Sequence, residues 1–315
     1  MSQIDVAVCS RSFSNNLTLR NELISKYNHV KFNDEGLSLK GESLQIFLKD
    51  ARKAIIGLEY LDEEILTGLK DLEVISKYGV GCNNINFEAL RKFNVKFAWK
   101  GGVNKRSVAE LAIGSILAQC RNLFNLNEEV KKGQWKPRPG INLSGKTVGI
   151  VGLGNIGGEI AKILQAFGCH IIAYDIRDIR DYCRDNGIAF LDLNTLVKSS
   201  DIVTFHVPLT GKTSGMVDAK LLSMMKQDVI IANTCRGGVF NEKDLFDFLT
   251  THKSASAFFD VFEEEPAREN PLFSLQNFFA SPHIGGTTEE SILAMGRSAI
   301  EGLEKGLEAL EENFI

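Results

Sequence analysis

Residues 147–158 read TVGIVGLGNIGG, and this stretch decides the fold. An apolar strand pattern runs directly into glycines at 152, 154 and 157, and the helical pattern EIAKILQAFG follows. In such a motif the first glycine permits a tight turn, the second lets backbone approach a phosphate, and the third lets helix and strand pack closely. Gly152, Gly154 and Gly157 therefore predict a strand, a turn and a helix N-terminus that binds the pyrophosphate of a dinucleotide.

An acidic residue supports the same interpretation. The next apolar run, CHIIAYD, ends at Asp175, which lies 18 residues past Gly157. A carboxylate near this spacing binds the adenosine ribose hydroxyls and repels a 2′-phosphate, so it favours NAD over NADP. Arg177 leaves an alternative open, because an arginine that swings toward the site can accommodate a phosphate. The predicted cofactor is NAD.

The other apolar runs indicate an α/β protein. They are short, rich in Val, Ile and Phe, end in polar or glycine residues, and alternate with helical patterns, as buried parallel strands do. These runs are IDVAVCS, KAIIGL, LEVISKYG, HIIAYD, DIVTFHV, DVIIANT and SAFFDVF. A helical pattern from about Ser107 to Val130 has a stripe that suits either core packing or a subunit interface.

The position of the glycine motif indicates how the domains are arranged. About 145 residues precede it, so we expect two Rossmann-like domains with parallel sheets, the cofactor domain being inserted into the substrate domain. The predicted boundaries are 1–100 with 288–315 for the substrate domain and 101–287 for the cofactor domain. Substrate is expected in the cleft between them.

Composition limits the possible partners and the compartment. The chain has 315 residues, 44% of them hydrophobic, and a formal net charge of −4, which argues against nucleic acid and anionic membranes as partners. Small molecules are therefore expected. Six cysteines without a CxxC pair suggest neither a metal site nor disulfides, and no leader or long apolar span is recognisable. These features favour the cytoplasm.

Three further strand ends carry polar residues that suit 2-hydroxy acid chemistry. The segments NTCRGG, FDVFEEEP and SPHIGG each follow an apolar run and contain Arg236, Glu265 and His283. A guanidinium binds a carboxylate or carbonyl, an imidazole exchanges a proton with a hydroxyl, and an acid orients the imidazole. Each residue alone suits a surface role, but together, at one predicted sheet edge, they indicate a catalytic site.

These motifs resemble those of the D-isomer-specific 2-hydroxyacid dehydrogenase family, most closely its D-3-phosphoglycerate dehydrogenase branch. The similarity extends over nearly the whole chain. It is carried by KYGVGCNNIN, NKRSVAELAIG, GKTVGIVGLGNIGGEIAK, HVPLT, NTCRGG, DVFEEEPARENPLF and SPHIGG.

The resemblance implies roles for individual residues. Arg236 binds and polarises the substrate, Glu265 pairs with His283, and His283 acts as the general acid or base. The backbone amides of Val80 and Gly81 bind the substrate carboxylate together with Arg236. The residues implied around NAD, besides the three glycines of the motif and Asp175, are Asn155, Ile156, His206, Pro208, Thr234, Cys235, Arg236, Asp260, His283, Gly285 and Gly286. For His206 a buried structural role is an equal alternative.

Two departures from the family pattern concern the substrate. Glu59 and Tyr60 stand where phosphoglycerate dehydrogenases often carry a basic residue, and Asn83 and Asn86 replace common aspartates. The expected function is NAD-dependent oxidation of a D-2-hydroxy acid or reduction of its keto acid, most like D-3-phosphoglycerate dehydrogenase. The alternatives are a hydroxypyruvate or glyoxylate reductase and an NAD-responsive, corepressor-like scaffold.

The resemblance also bears on assembly and on the chain end. The family usually dimerises through the cofactor domain, so a homodimer is expected. The chain stops at Ile315, so the C-terminal regulatory domains found on some phosphoglycerate dehydrogenases are not expected.

Overall fold

A computed structural model describes residues 4–309 of the chain. The chain divides into two compact units: unit 1 comprises the described residues of Met1–Asn104 and Thr287–Ile315, and unit 2 comprises Lys105–Gly286. The fold is therefore α/β with one unit inserted into the other. Parts of the predicted boundaries, residues 1–3 and 310–315, lie outside the described residues.

Unit 1 contains a five-stranded parallel sheet among its described residues, in the order β2-β1-β3-β4-β5. Its strands are β1 (Ile4–Val8), β2 (Val30–Phe32), β3 (Ala51–Ile56), β4 (Val74–Lys77) and β5 (Lys96–Ala98). Its helices are α1 (Arg11–Asn15), α2 (Leu17–Ile24), α3 (Gly41–Leu48), α4 (Glu63–Thr67), α5 (Phe87–Lys92) and α13 (Glu289–Lys305).

Helix α13 belongs to unit 1 because its apolar face joins that unit's core. Ala299, Ile300 and Leu303 are buried in one cluster with Val6 and Val8 of β1. The other buried members of the cluster come from α1, α2 and β3, together with Tyr78 directly after β4. The chain therefore returns to the first sheet after it has completed the second unit.

Unit 2 contains a seven-stranded parallel sheet among its described residues, in the order β12-β11-β10-β9-β6-β7-β8. Its strands are β6 (Thr147–Val151), β7 (His170–Tyr174), β8 (Ala189–Phe190), β9 (Ile202–Phe205), β10 (Ile230–Asn233), β11 (Ser256–Phe259) and β12 (Phe278–Ala280). Its helices are α6 (Lys105–Cys120), α7 (Leu123–Lys131), α8 (Asn155–Ala166), α9 (Arg180–Asp185), α10 (Leu193–Ser199), α11 (Ala219–Leu222) and α12 (Glu242–Thr251), with a 3₁₀ turn at Pro271–Ser274.

The strand order of unit 2 reverses at β6. The chain passes from β6 to β7 on one side and returns to β9 on the other, which creates a crevice beyond the carboxyl ends of these strands. Ligands of open α/β sheets bind at such a switch point. The glycine motif follows β6 directly and lies at this point.

The prediction of one continuous helical pattern from about Ser107 to Val130 is wrong in one respect. The structure has two helices, α6 and α7, separated at Asn122, whose backbone adopts a left-handed conformation with φ of 52°. Asparagine tolerates this region because its short polar side chain bonds locally. Helix α6 buries much of its length in unit 2, whereas α7 has no buried residue.

Within residues 4–309, no helix combines the length and apolar character needed to span a bilayer.

Candidate active site

The six longest strands of unit 2 end at the same level. Tyr174 pairs with Val151, Val151 with Phe205, and Phe205 with Asn233. Asn233 in turn pairs with Phe259, and Phe259 with Ala280. The residues that follow these six positions therefore form a row along the carboxyl edge, and nearly all the predicted site residues of unit 2 lie in or directly after this row.

The glycine turn has the space that a pyrophosphate requires. Gly152 has φ of +93°, and a Cβ atom there would lie 2.5 Å from the His206 carbonyl oxygen. A Cβ atom at Gly157 would lie 2.1 Å from the Gly152 carbonyl oxygen, so only glycine permits this helix–strand contact. Gly154 has no such neighbour within 4 Å and is the N-cap of α8. No side chain caps the start of α8, so its first N–H groups are available to a phosphate group.

Asp175 directly follows β7 and is bonded on both carboxylate oxygens. Its Oδ2 accepts hydrogen bonds from the Leu153 amide at 2.9 Å and from Arg177 Nη2 at 2.9 Å. Its Oδ1 accepts from the Arg177 amide at 3.0 Å and from Arg177 Nε at 2.9 Å. Burial alone would raise the pKa of Asp175, but these hydrogen bonds outweigh it and hold the pKa below its ordinary value. The carboxylate predicted to bind ribose is therefore ionised and covered by Arg177.

Two buried polar atoms at the edge have no partner in the described part of the chain. They are Nδ1 of His206 and Oγ1 of Thr234. The other ring nitrogen of His206 shares a hydrogen bond of 2.8 Å with Thr204, and burial lowers the pKa of His206 to about 3. A neutral imidazole and a hydroxyl that both lack a partner need a polar ligand. They fit a nicotinamide dinucleotide, and of the two alternatives for His206 this observation favours the cofactor contact.

His283 and Glu265 are in direct contact. Nδ1 of His283 lies 2.7 Å from Oε2 of Glu265, and the side chains are 46% and 36% exposed, so the pair is accessible to small molecules. The second carboxylate oxygen of Glu265 accepts the Phe262 amide at 3.0 Å, which fixes the acid. The carboxylate bond makes Nδ1 the protonated nitrogen and leaves Nε2 free for chemistry.

The buried carboxylate of Asp260 holds the histidine loop. It accepts the amides of Ile284 at 2.8 Å and Gly285 at 2.7 Å, together with the Ser281 hydroxyl. Between these anchors His283 adopts φ of 55°, a conformation uncommon for residues other than glycine. Asp260, expected among the cofactor residues, thus has its carboxylate engaged by the loop that carries His283.

Arg236 lies after the neighbouring strand and is half-buried. Its loop is shaped by Asn233, whose side chain accepts the Cys235 amide at 3.1 Å and donates to the Arg236 carbonyl at 3.3 Å. The guanidinium donates to the Cys235 carbonyl at 2.6 Å, and it keeps further N–H donors. The structure therefore places Arg236 on the same edge of the sheet as the His283–Glu265 pair. Its guanidinium is bonded to its own loop and not to His283 or Glu265.

The remaining predicted residues of unit 2 take varied positions. Asn155 and Ile156 begin α8, and Pro208 is exposed after β9. Burial raises the pKa of Cys235 to about 11, so its thiol stays protonated at neutral pH and is not a nucleophile. Gly285 is buried and Gly286 half-buried beside the histidine.

Among the described residues, no cluster of three His, Cys, Asp or Glu side chains is suited to a metal.

Val80 and Gly81, predicted to bind the substrate carboxylate, lie in unit 1, in the loop after β4. Trp99 donates its indole N–H to the Val80 carbonyl at 3.0 Å. The buried Lys77 ammonium donates to the Gly57 carbonyl and to Asn84 Oδ1, the latter at 2.9 Å. The loop that carries the two predicted amides is thus anchored at both ends.

Several residues that shape the site were not found from the sequence. Asn233, Ser281 and Lys77 act through hydrogen bonds to loops instead of facing a ligand. A signal existed for Asn233, because an asparagine at a strand end before a glycine-containing segment commonly bonds the backbone two residues on. Ser281 and Lys77 bond to residues that are distant in the sequence, and only the fold brings these residues together.

Comparison with known proteins identifies the family of this chain. Residues 113–285 match the family model described as D-isomer specific 2-hydroxyacid dehydrogenase, NAD binding domain. The chain is 37% identical over 283 residues to a D-3-phosphoglycerate dehydrogenase of Methanocaldococcus jannaschii, covering 88% of this chain and 54% of that protein. It is 38% identical over 249 residues to a hydroxypyruvate reductase of Thermotoga maritima, covering 78% and 80%. The chain thus spans only about half of the first relative.

A solved structure shows the same fold. A protein from Polaromonas sp. JS6 66, assigned to the NAD-binding D-isomer specific 2-hydroxyacid dehydrogenases, superposes with a TM-score of 0.87 at 26% identity, covering 100% of this chain and 98% of that one. The chain belongs to the D-isomer specific 2-hydroxyacid dehydrogenase family, and its unit 2 is the NAD-binding domain.

The two adjacent glycines at the start of α8 provide a matched test of the NAD site. Gly157→Ala is expected to weaken NADH binding at least about tenfold, because its Cβ would overlap the turn that approaches the pyrophosphate. Gly158→Ala should bind NADH normally, since the nearest atom to its Cβ, the Tyr182 hydroxyl, is 3.7 Å away. Fluorescence titration of NADH checks both variants, and equal affinities would contradict the assignment.

Proposed function

We propose that the protein is an NAD-dependent D-2-hydroxyacid dehydrogenase. The observation that carries this proposal is the 2.7 Å contact between His283 and Glu265, at the same edge of the NAD-binding unit as Arg236. Family membership supports it, since it provides a cofactor for hydride transfer beside an acid–base pair. D-3-phosphoglycerate, the substrate indicated by the family branch, and hydroxypyruvate or glyoxylate are the candidate reaction partners.

The proposed reduction divides the work among three side chains. NADH, when bound, supplies the hydride. Arg236 directs its N–H donors at the carboxylate and carbonyl of the keto acid and stabilises the charge that develops on the carbonyl oxygen. His283, protonated on both nitrogens, gives its Nε2 proton to that oxygen, and in the reverse reaction neutral His283 removes the hydroxyl proton.

Glu265 acts on His283 and not on the substrate. Its carboxylate fixes the imidazole orientation through Nδ1 and stabilises the protonated ring. The Phe262 amide in turn holds the carboxylate. In unit 1, the Val80 and Gly81 amides are proposed to bind the substrate carboxylate, in keeping with the anchored loop that contains them.

Replacing either member of the acid–base pair should slow reduction while NADH still binds. His283→Asn is expected to lower kcat about 10²–10⁴-fold, the usual contribution of a general acid. Glu265→Gln should lower kcat by a smaller factor, because the amide still accepts a hydrogen bond but carries no charge. Stopped-flow NADH oxidation with hydroxypyruvate measures kcat, and fluorescence titration confirms cofactor binding.

Glu264→Gln is the matched control, because this exposed acid is the immediate neighbour of Glu265. Its kcat should equal that of the wild type. If the His283 variant retained full activity, the assigned roles would be wrong. If the wild type bound NADH but reduced no keto acid, the corepressor-like scaffold would replace the enzyme as the proposed function.

One observation favours an unphosphorylated substrate. Glu59 follows β3, and its carboxylate accepts the Gly57 amide at 2.6 Å. Asn84 donates to the Glu59 carbonyl at 2.6 Å and lies four residues past Val80, so the acid's loop runs beside the proposed carboxylate-binding loop. A fixed negative charge there repels a second anionic group on the substrate. Hydroxypyruvate or glyoxylate is therefore favoured as the substrate over the phosphorylated acid that the family branch indicates.

Substrate selection can be tested at Glu59. Wild-type kcat/KM should be higher for hydroxypyruvate than for 3-phosphohydroxypyruvate, and Glu59→Gln should raise kcat/KM for the phosphorylated acid about fivefold, the effect of about 1 kcal/mol of charge repulsion. Glu64→Gln, an exposed acid in α4, should change neither value. A wild-type preference for 3-phosphohydroxypyruvate would reject the unphosphorylated substrate and support D-3-phosphoglycerate dehydrogenase.

We propose that the protein forms a homodimer through α7 and the segment that follows it. Helix α7 buries no residue, and residues 132–142 are exposed without regular structure. This region exposes large apolar side chains, and such exposed apolar patches commonly mark a protein–protein interface. They are Leu123, Val130, Trp135 and Ile141, with Trp135 82% exposed.

Trp135→Glu is expected to convert the dimer to a monomer, because it replaces the most exposed of these apolar side chains with a charge. Size-exclusion chromatography with light scattering measures the mass. Ile46→Glu is the control, since Ile46 is exposed on α3 of unit 1 and should leave the dimer intact. A wild-type monomer, or a Trp135→Glu dimer, would contradict the proposed interface.

The cytoplasm is the proposed compartment. Five cysteines are buried as free thiols, as is usual in a reducing environment: Cys9, Cys120, Cys169, Cys183 and Cys235.

A further inference from the structure

Trp99 connects the end of β5 to the loop that carries Val80 and Gly81. Ala98 at the end of β5 pairs with Ser76 of β4, so Trp99 leaves the sheet beside the start of the loop after β4. Its indole N–H donates to the Val80 carbonyl at 3.0 Å. Trp99 therefore bonds the backbone of the loop that is proposed to bind the substrate carboxylate.

The two ends of this loop, residues 79–84, are held by other side chains. Lys77 directly precedes the loop, and its ammonium donates to Asn84 Oδ1 at 2.9 Å and to the Gly57 carbonyl. Asn84 in turn donates to the Gly57 carbonyl at 3.2 Å. Both ends are thus fixed to the segment after β3, and the bond from Trp99 acts on the short span between them.

The bond from Trp99 determines where the Gly81 amide points. The Val80 carbonyl and the Gly81 N–H belong to one peptide unit, which is trans and planar. In such a unit the two groups point in opposite directions. Because the indole holds the carbonyl on the Trp99 side, the Gly81 N–H faces away from Trp99. Val80 and Gly81 are only half-buried, which leaves this part of the loop accessible to a small molecule.

We propose that Trp99 is a positioning residue of the substrate site, whose indole aims the Gly81 amide at the substrate carboxylate. The inference rests on the proposed function, because it takes the Val80 and Gly81 amides as the carboxylate-binding groups. It goes beyond that function by assigning the orientation of the Gly81 amide to one side chain. Trp99 acts through the loop and takes no part in proton transfer, so it contributes to substrate affinity and not to the chemical step.

Trp99→Phe removes the indole N–H and keeps an aromatic ring on the apolar cluster of unit 1. KM for hydroxypyruvate should rise about three- to tenfold, the range expected for the loss of one neutral hydrogen bond. The value of kcat should stay within about twofold, because an interaction that substrate and transition state share affects KM alone. Steady-state NADH oxidation measures both constants.

A binding measurement separates the loop from the reaction. Oxamate carries the carboxylate of a 2-keto acid but has an amide in place of the ketone, so hydride does not reduce it. Isothermal titration calorimetry of the full chain with NADH bound should show the Kd of oxamate raised in Trp99→Phe by the same factor as KM. The Kd of NADH should be unchanged, because its site lies in unit 2.

Phe93→Leu is the matched control. Phe93 packs on the same apolar cluster as Trp99 and is also half-buried, but its side chain has no hydrogen-bonding group. This variant should leave KM and the Kd of oxamate unchanged, and circular dichroism should show it folded.

Gly101→Ala moves the Trp99 ring without removing its N–H. A Cβ atom at Gly101 would lie 2.7 Å from Trp99 Cη2, so the ring must shift. KM and the Kd of oxamate should rise while kcat stays constant. If Trp99→Phe fails to fold, this variant decides the proposal.

Two results would overturn the role of Trp99. In one, Trp99→Phe leaves KM and the Kd of oxamate at their wild-type values. In the other, it weakens NADH and oxamate together and lowers kcat, which would make Trp99 a general structural residue. A wild type that reduces no keto acid but binds oxamate, more weakly in Trp99→Phe, would reject the dehydrogenase function and support the role of Trp99. A wild type that neither reduces a keto acid nor binds oxamate would overturn both.

Discussion

The site depends on one constraint, the register of six parallel strands in unit 2. Because of this register, the six strands end at the same height in the sheet. Paired residues from Tyr174 to Ala280 end these strands at one height, so each following loop emerges at the same edge. Backbone hydrogen bonds between strands set this register, and it cannot slip without turning buried side chains toward the wrong face. Residues that are distant in sequence, such as Asp175 and His283, thereby occupy one row.

Hydrogen bonds from side chains then shape the loops on that edge. The Asp260 carboxylate binds the histidine loop, Asn233 binds the arginine loop, and the Phe262 amide binds Glu265. The arginine loop also packs tightly on its neighbour, because a Cβ atom at Gly237 would lie 1.7 Å from the Phe262 carbonyl oxygen. These hydrogen bonds to the loops therefore position the reactive side chains.

Sequence patterns predict the fold well because they report burial and turn geometry. Glycines with different steric roles identify the β6–α8 turn, and apolar runs identify the long strands. The break at Asn122 escapes such reasoning, since an asparagine is compatible with both a helix interior and a left-handed turn. The acid–base pair was predicted through a family resemblance, and its 2.7 Å contact required the loops of β11 and β12 to meet. That Arg177 covers Asp175 depends on side-chain conformations that spacing alone does not encode.

The central claim is that NADH bound to unit 2 reduces a 2-keto acid, with His283 delivering the proton. The most direct measurement is the reaction of the enzyme with NADH that carries deuterium at both C4 positions and with hydroxypyruvate, followed by chiral separation and mass spectrometry of the product. The account predicts a D-configured 2-hydroxy acid that carries deuterium at C2 and is formed by the wild type at least about a hundredfold faster than by His283→Asn. An L-configured or racemic product, or one without deuterium, would contradict it.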